Sequence, residues 1–114
     1  MSDPFREREK GFEAKFEMDE ALRFRIVTRR NKLFGLWVAA EMGLSGSPAD
    51  QYARALIEHD LTHGSADALT DKALADLTAK GVEVTRHRLD LRLSKLMHEA
   101  EASIRDEQVG GVRA

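Results

Sequence analysis

Two histidines four residues apart come nearest to a reactive pattern in this chain. Glu58-His59-Asp60-Leu61-Thr62-His63 places both imidazoles on one helical face, a spacing that can chelate zinc, with Asp60 where the metalloprotease pattern has glutamate. That pattern needs the glutamate as base, a third ligand and a cleft. No third ligand is apparent, and histidines near a helix end also suit the local dipole. The expectation is no metal site and no enzyme. A second pattern is Leu77-Thr-Ala-Lys-Gly81-Val-Glu-Val-Thr85-Arg-His-Arg-Leu89, which has the spacing of a loose helix-turn-helix followed by Arg86, His87, Arg88, Arg92 and Lys95. It carries the alternative reading, a small nucleic-acid-binding regulator using the corner at 77–95, against which stand Glu83, Asp90, Glu99 and the overall acidity. A third is the cluster Arg23, Arg25, Arg29, Arg30 and Lys32, which could receive a phosphate. These cations spread around the helix, so the simpler reading is a solvated face pairing with acidic neighbours. Gly43-Leu-Ser-Gly46 lacks the lysine of a phosphate loop and reads as a turn.

The composition sets the frame for these patterns. At 114 residues the chain is one domain with a single modest core, and 42% hydrophobic with 33% charged residues suits a globular protein. A net charge of −2 argues against binding nucleic acid or anionic membrane through the overall field. The absence of cysteine removes disulfide frameworks and thiolate metal sites, and fits a reducing compartment. No apolar run is long enough to span a bilayer, and the charged N-terminus is no secretory signal, so the expected location is cytoplasmic.

Four helices and no strand can be drawn. Asp3 caps a first helix with Pro4 at its first position, continuing to about Met42 and ending at Gly43. Ser47 caps a second, with Pro48 as its first residue, Tyr52, Ala53, Leu56, Ile57 and Leu61 as its apolar set, and Gly64 as its stop. Ser65-Ala-Asp67 opens a third, containing Leu69, Ala73, Leu74 and Leu77 and closed by Gly81. Thr85 caps a fourth, whose Leu89, Leu93, Leu96, Met97, Ala100 and Ile104 give the clearest apolar face. Short connections favour a four-helix bundle. The expected division is an arm at 1–20, a bundle at 21–107 and a disordered tail at 108–114. Trp37 reads as a core residue.

The first helix changes character along its length. Phe5, Phe12, Phe16, Val27, Phe34 and Val38 form one stripe, and from Leu22 onward a second opens with Ile26, Leu33, Trp37 and Ala40. The distal half can therefore pack on two sides. The first twenty residues carry three phenylalanines among seven acids and four bases, whereas residues 21–40 carry five bases and no acid. Burying three phenylalanines would contribute about 5–9 kcal/mol at most. Ordering about twenty residues costs roughly 20 kcal/mol before hydrogen bonds offset part of it, and Gly11 adds about 1 kcal/mol. Without a facing surface the arm is expected to be frayed in the free protein and helical once its stripe enters a partner's groove.

Phe5-Arg-Glu-Arg-Glu-Lys-Gly-Phe-Glu-Ala-Lys-Phe16, Asp19-Glu20, Arg29-Arg-Asn-Lys-Leu-Phe-Gly-Leu-Trp37 and Glu41-Met-Gly-Leu-Ser-Gly46 closely resemble the zeta subunit, the ATPase inhibitor, of alphaproteobacterial F-type ATP synthases. The resemblance covers nearly the whole chain and is densest between Arg29 and Gly46. It implies a four-helix bundle with a mobile N-terminal segment, monomeric when free. That segment would insert as a helix between the alpha, beta and gamma subunits and block rotation in the hydrolysis direction, holding the protein at the periphery of the inner membrane. It implies inhibitory residues between Ser2 and about Asp19. Phe5, Phe12 and Phe16 would be anchors, and Arg6, Glu7, Arg8, Glu9, Glu13 and Lys15 flanking polar contacts. It implies no cofactor, although weak nucleotide binding, at residues not assigned, has been suggested for the family. Asp3-Pro4-Phe5 and Gly11, where the family often has alanine, depart from the pattern, and a less helical arm loses more entropy on docking.

Overall fold

The computed structural model describes residues 20–65 and 67–113, the last six as backbone. Phe5, Arg6, Glu7, Arg8, Glu9, Phe12, Glu13, Lys15 and Phe16, with the expected start of the first helix at Pro4, lie outside the described residues. Among those described there are four helices and no strand: α1 (Glu20–Glu41), α2 (Gly46–His63), α3 (Ala68–Ala79) and α4 (Arg86–Arg113). The all-α bundle expected from the apolar spacing is the observed architecture.

The helix ends follow from local chemistry. At the end of α1, Leu44 N–H donates to Ala39 O at 2.8 Å and Gly43 N–H to Ala40 O at 3.0 Å. The pairing at the end of α3 is the same, Val82 to Leu77 at 2.9 Å and Gly81 to Thr78 at 3.0 Å. Both are Schellman closures, which need a left-handed residue, and Gly43 and Gly81 supply it with φ of 82° and 77°. The Thr85 hydroxyl accepts the Arg88 N–H at 3.2 Å, as an N-cap should.

Three boundaries differ from expectation. Helix α2 opens at Gly46 after an extended Ser45, two residues before the Ser47 cap that the sequence suggests. Pro48 is then the third helical residue, still within the turn whose N–H groups have no intrahelical acceptor, so its missing donor costs nothing. Helix α3 begins at Ala68 behind Asp67, with the Ser65 hydroxyl accepting the Asp67 N–H at 3.3 Å. Helix α4 runs on to Arg113, where the sequence suggests a disordered tail from Gln108. Extending a helix already docked along its length needs no new nucleus, and no proline interrupts it.

Helix α1 touches each of the other three. Its C-terminal half sits in the main core, where Phe34 and Val38 meet Leu56 of α2, Leu69, Ala73 and Leu77 of α3, and Leu89 and Leu96 of α4. Its N-terminal half meets α4 alone in a second cluster of Ile26, Ala100 and Ile104, edged by Leu22 and Met97. The second stripe thus spans both clusters: Leu22 and Ile26 pack in the smaller one, while Leu33 and Trp37 edge the main core beside Phe34 and Val38 of the first. Ala40 and Leu61, assigned to apolar faces by spacing, are exposed, because each lies at a helix end beyond the reach of a neighbour.

The tightest contact is between α1 and α2. A methyl group built on Gly35 would lie 2.7 Å from Ala53 Cα and 2.9 Å from its Cβ. The first of these is backbone, so the helices must separate to admit it. We expect Gly35→Ala to destabilise the protein by about 1–2 kcal/mol, the overpacking strain exceeding the roughly 1 kcal/mol gained in helix propensity. Urea unfolding measures this, and unchanged or increased stability would contradict the close approach.

Candidate functional site

The basic residues of α1 divide between two sides of the helix. On the α4 side, Arg29 Nη1 donates to Glu107 Oε1 at 2.6 Å and to Ser103 Oγ at 2.8 Å. Arg25 reaches the other oxygen of Glu107 at 3.4 Å. Phe24, Arg25, Thr28, Arg29 and Lys32 of α1, with Ile104 of α4, line a shallow groove of about 300 Å³. Phe24 is 59% exposed there.

On the α2 side the contacts are more buried. Arg30 donates twice to Asn31 Oδ1, at 3.0 and 2.8 Å, and Asn31 Nδ2 lies 3.4 Å from Asp60 Oδ2. Burial pushes the Arg30 guanidinium below its ordinary value, while the Asp60 carboxylate opposes that shift. Asn31 is only 3% exposed. Three of the five cations, Arg25, Arg29 and Arg30, thus have partners within the bundle.

His59 and His63 stack with ring centroids 3.8 Å apart and 26° between their planes. In-plane nitrogen lone pairs on nearly parallel rings do not converge on one ion. His63 Nδ1 also lies 2.9 Å from the His59 carbonyl. Among the described residues no group of three or more metal-ligating side chains comes together.

The helix-turn-helix spacing dissolves in a similar way. Arg86 pairs with Asp71 of α3, and the Arg92 guanidinium lies 4.9 Å from the ring centre of Trp37. Two of the five basic residues assigned to a recognition helix are therefore bound to their own bundle. Trp37 stands half-buried at the core edge, stacked on Phe34 at 6.1 Å. Tyr52 donates to Asp76 at 2.7 Å, and burial and that carboxylate together raise the phenol above its ordinary value.

Spacing alone missed Asn31, Gly35 and Glu107. Two of these carried a readable sign. Asn31 falls in the series Val27, Asn31, Phe34, Val38, where a polar residue on a buried stripe calls for a partner. Gly35 is a lone glycine inside a helix, which usually marks a packing demand.

The fold and these contacts define a class, a small all-α bundle with many of its described polar side chains engaged in internal ties. Residues 1–103 match the family model of the ATPase inhibitor subunit zeta, and the chain belongs to that family. It is thus an ATPase-inhibitor subunit, a regulatory protein whose partner is the ATP synthase. A search of curated proteins found no match. No helix among the described residues is long and apolar enough to cross a membrane.

The two sets of ties should differ in strength. Asn31→Ala strands buried polar partners and is expected to cost about 1–3 kcal/mol, whereas Glu107→Ala removes half-exposed pairs and should cost less than about 1 kcal/mol. Chemical denaturation of both variants checks the order. A pH effect follows from His59, which desolvation first, and His63 next, hold below the ordinary imidazole value. Just below pH 6.5 the unfolded chain binds this proton while the fold resists it, so the His59 contribution is complete above that pH and is lost as pH falls. Thermal unfolding of His59→Gln should therefore show a shallower decline from pH 7 to 5 than the parent, and parallel profiles would contradict this.

Proposed function

We propose that this chain restrains ATP hydrolysis by inserting residues 1–19 as a helix at the interface of the alpha, beta and gamma subunits of the catalytic head. Phe5, Phe12 and Phe16 bury themselves in that cleft. Arg6, Glu7, Arg8, Glu9, Glu13 and Lys15 set register through contacts at its rim. A wedged helix stabilises one conformation of the rotary head over those that hydrolysis must visit, so no chemistry and no cofactor of its own is needed.

Membership of the inhibitor family over residues 1–103, a span that includes the arm, carries this reading. The division of α1 supports it: the half of the helix nearest the arm packs on α4 alone. Helix α1 therefore begins beside α4 rather than within the main core. The free protein is a monomer, and it sits at the inner membrane only through the synthase.

Titration into the cognate ATPase tests the proposal. The chain lacking residues 1–19 should lose inhibition while its bundle unfolds at the same temperature as the parent. The pair Phe12→Ala and Phe16→Ala should raise the half-inhibitory concentration roughly a thousandfold, as two anchors of about 2 kcal/mol each imply. Inhibition unchanged in the pair would remove the anchors, and inhibition unchanged by truncation would remove the arm.

A further inference from the structure

We infer that the strip Phe24, Thr28 and Lys32 on α1 is a second docking surface, which seats on an acidic protein surface of the synthase. The inference rests on the inhibitory reading only for where that surface lies, at the rim of the cleft that takes residues 1–19. The three residues stand at i, i+4 and i+8, one face of α1 over about 12 Å. Phe24 is 59% exposed, beside a groove whose apolar lining includes the buried Ile104. Arg25, Arg29 and Lys32 supply its charged lining, with no acid among the lining residues. Glu107 engages the two arginines, whereas Lys32 is exposed and forms no ion pair among the described residues. An exposed aromatic ring beside an unpaired cation is the make-up of an interface anchor with a steering charge at its edge.

The sign of this face runs against the rest of the chain. Residues 21–40 carry five bases and no acid, whereas the other 94 residues carry 13 bases and 20 acids. An acidic partner is therefore attracted along this strip and repelled by the chain as a whole, which fixes the face that arrives first. Position points to the same partner. Phe24 lies about 6 Å along the axis from Glu20, and Lys32 about 18 Å. A body that takes up residues 1–19 ends beside Glu20, so its rim falls within that reach. The main core lies toward the other end of α1, and the strip can be covered without disturbing it.

The test is binding of the full-length chain to immobilised cognate synthase, with association and dissociation rates followed over a range of salt. Phe24→Ser should speed dissociation about tenfold. Lys32→Glu should slow association several-fold at about 50 mM salt, a difference that screening removes by about 0.5 M. Both side chains are exposed, so both variants should unfold at the parent temperature. Leu91 of α4, 58% exposed and outside the groove lining, supplies the control, and Leu91→Ser should bind as the parent does. Parent rates in Phe24→Ser would overturn the inference, as would an equal effect of Leu91→Ser or a Lys32→Glu defect that persists at high salt. So would a parent that sediments as a dimer and a Phe24→Ser variant that does not, because the occupant is then a second copy. The two readings fail separately. Strip variants that bind as the parent does, while truncation abolishes inhibition, remove the strip and leave the arm. Strip variants that bind weakly, while truncation leaves inhibition intact, support the strip alone.

Discussion

The bundle depends on how closely α1 and α2 approach at Gly35. With no side chain there, the two backbones come within a distance that a single methyl group would violate. Ala49, Ala53 and Leu56 give α2 a facing surface that is small where the approach is closest and large one turn further on. The consequence reaches the rest of the core. Phe34, Val38 and Ala39 are fully enclosed only because α2 lies this near, and Phe34 and Val38 are the residues that α3 and α4 close upon. A lone glycine in a helix weakens it by about 1 kcal/mol. The offset comes from the packing it permits, since interiors reward close contact and tolerate neither gaps nor overlap.

Polar groups repeat the same division of labour. Asn31 sits one turn before Gly35 on the buried stripe, and its amide joins Arg30 to Asp60 across the α1–α2 seam. A buried amide in a helix–helix interface is satisfied in one register only, so it discriminates against slippage as well as contributing hydrogen bonds. The Arg25, Arg29 and Glu107 contacts on the other side are more exposed and correspondingly weaker. They occur where α1 has left the main core and runs beside α4. The helix is thus held firmly at its C-terminal half and lightly at the half from which the arm departs.

Much of this was legible in the residues. Periodic leucines at 69, 74 and 77, with Ala73, and at 89, 93 and 96 mark the faces of the third and fourth helices, and the stops at Gly43, Gly64 and Gly81 lie where the helices end. Thr85 was readable as a cap because its hydroxyl suits one backbone donor. The run Arg29 to Trp37 carried the family. The opening of α2 behind Ser45 was not legible, since Ser47 before Pro48 reads as a helix start from local chemistry alone. The continuation of α4 was also illegible, because glycines at 110 and 111 read as breakers until the docked length of helix before them is known.

By itself the amino-acid order determined that the described residues form four helices with short connections, and which residues are apolar enough to form a core. These follow from local spacing, capping chemistry and residue type, all carried within a few positions along the chain. Only the tertiary structure decided which stripe of α1 meets which neighbour, why Gly35 must be glycine, and that Arg29, Arg86 and Arg92 turn inward to Glu107, Asp71 and Trp37. Those outcomes join residues up to 78 positions apart. Periodicity names the face of a helix that seeks cover, but the partner that covers it depends on how all four pack at once.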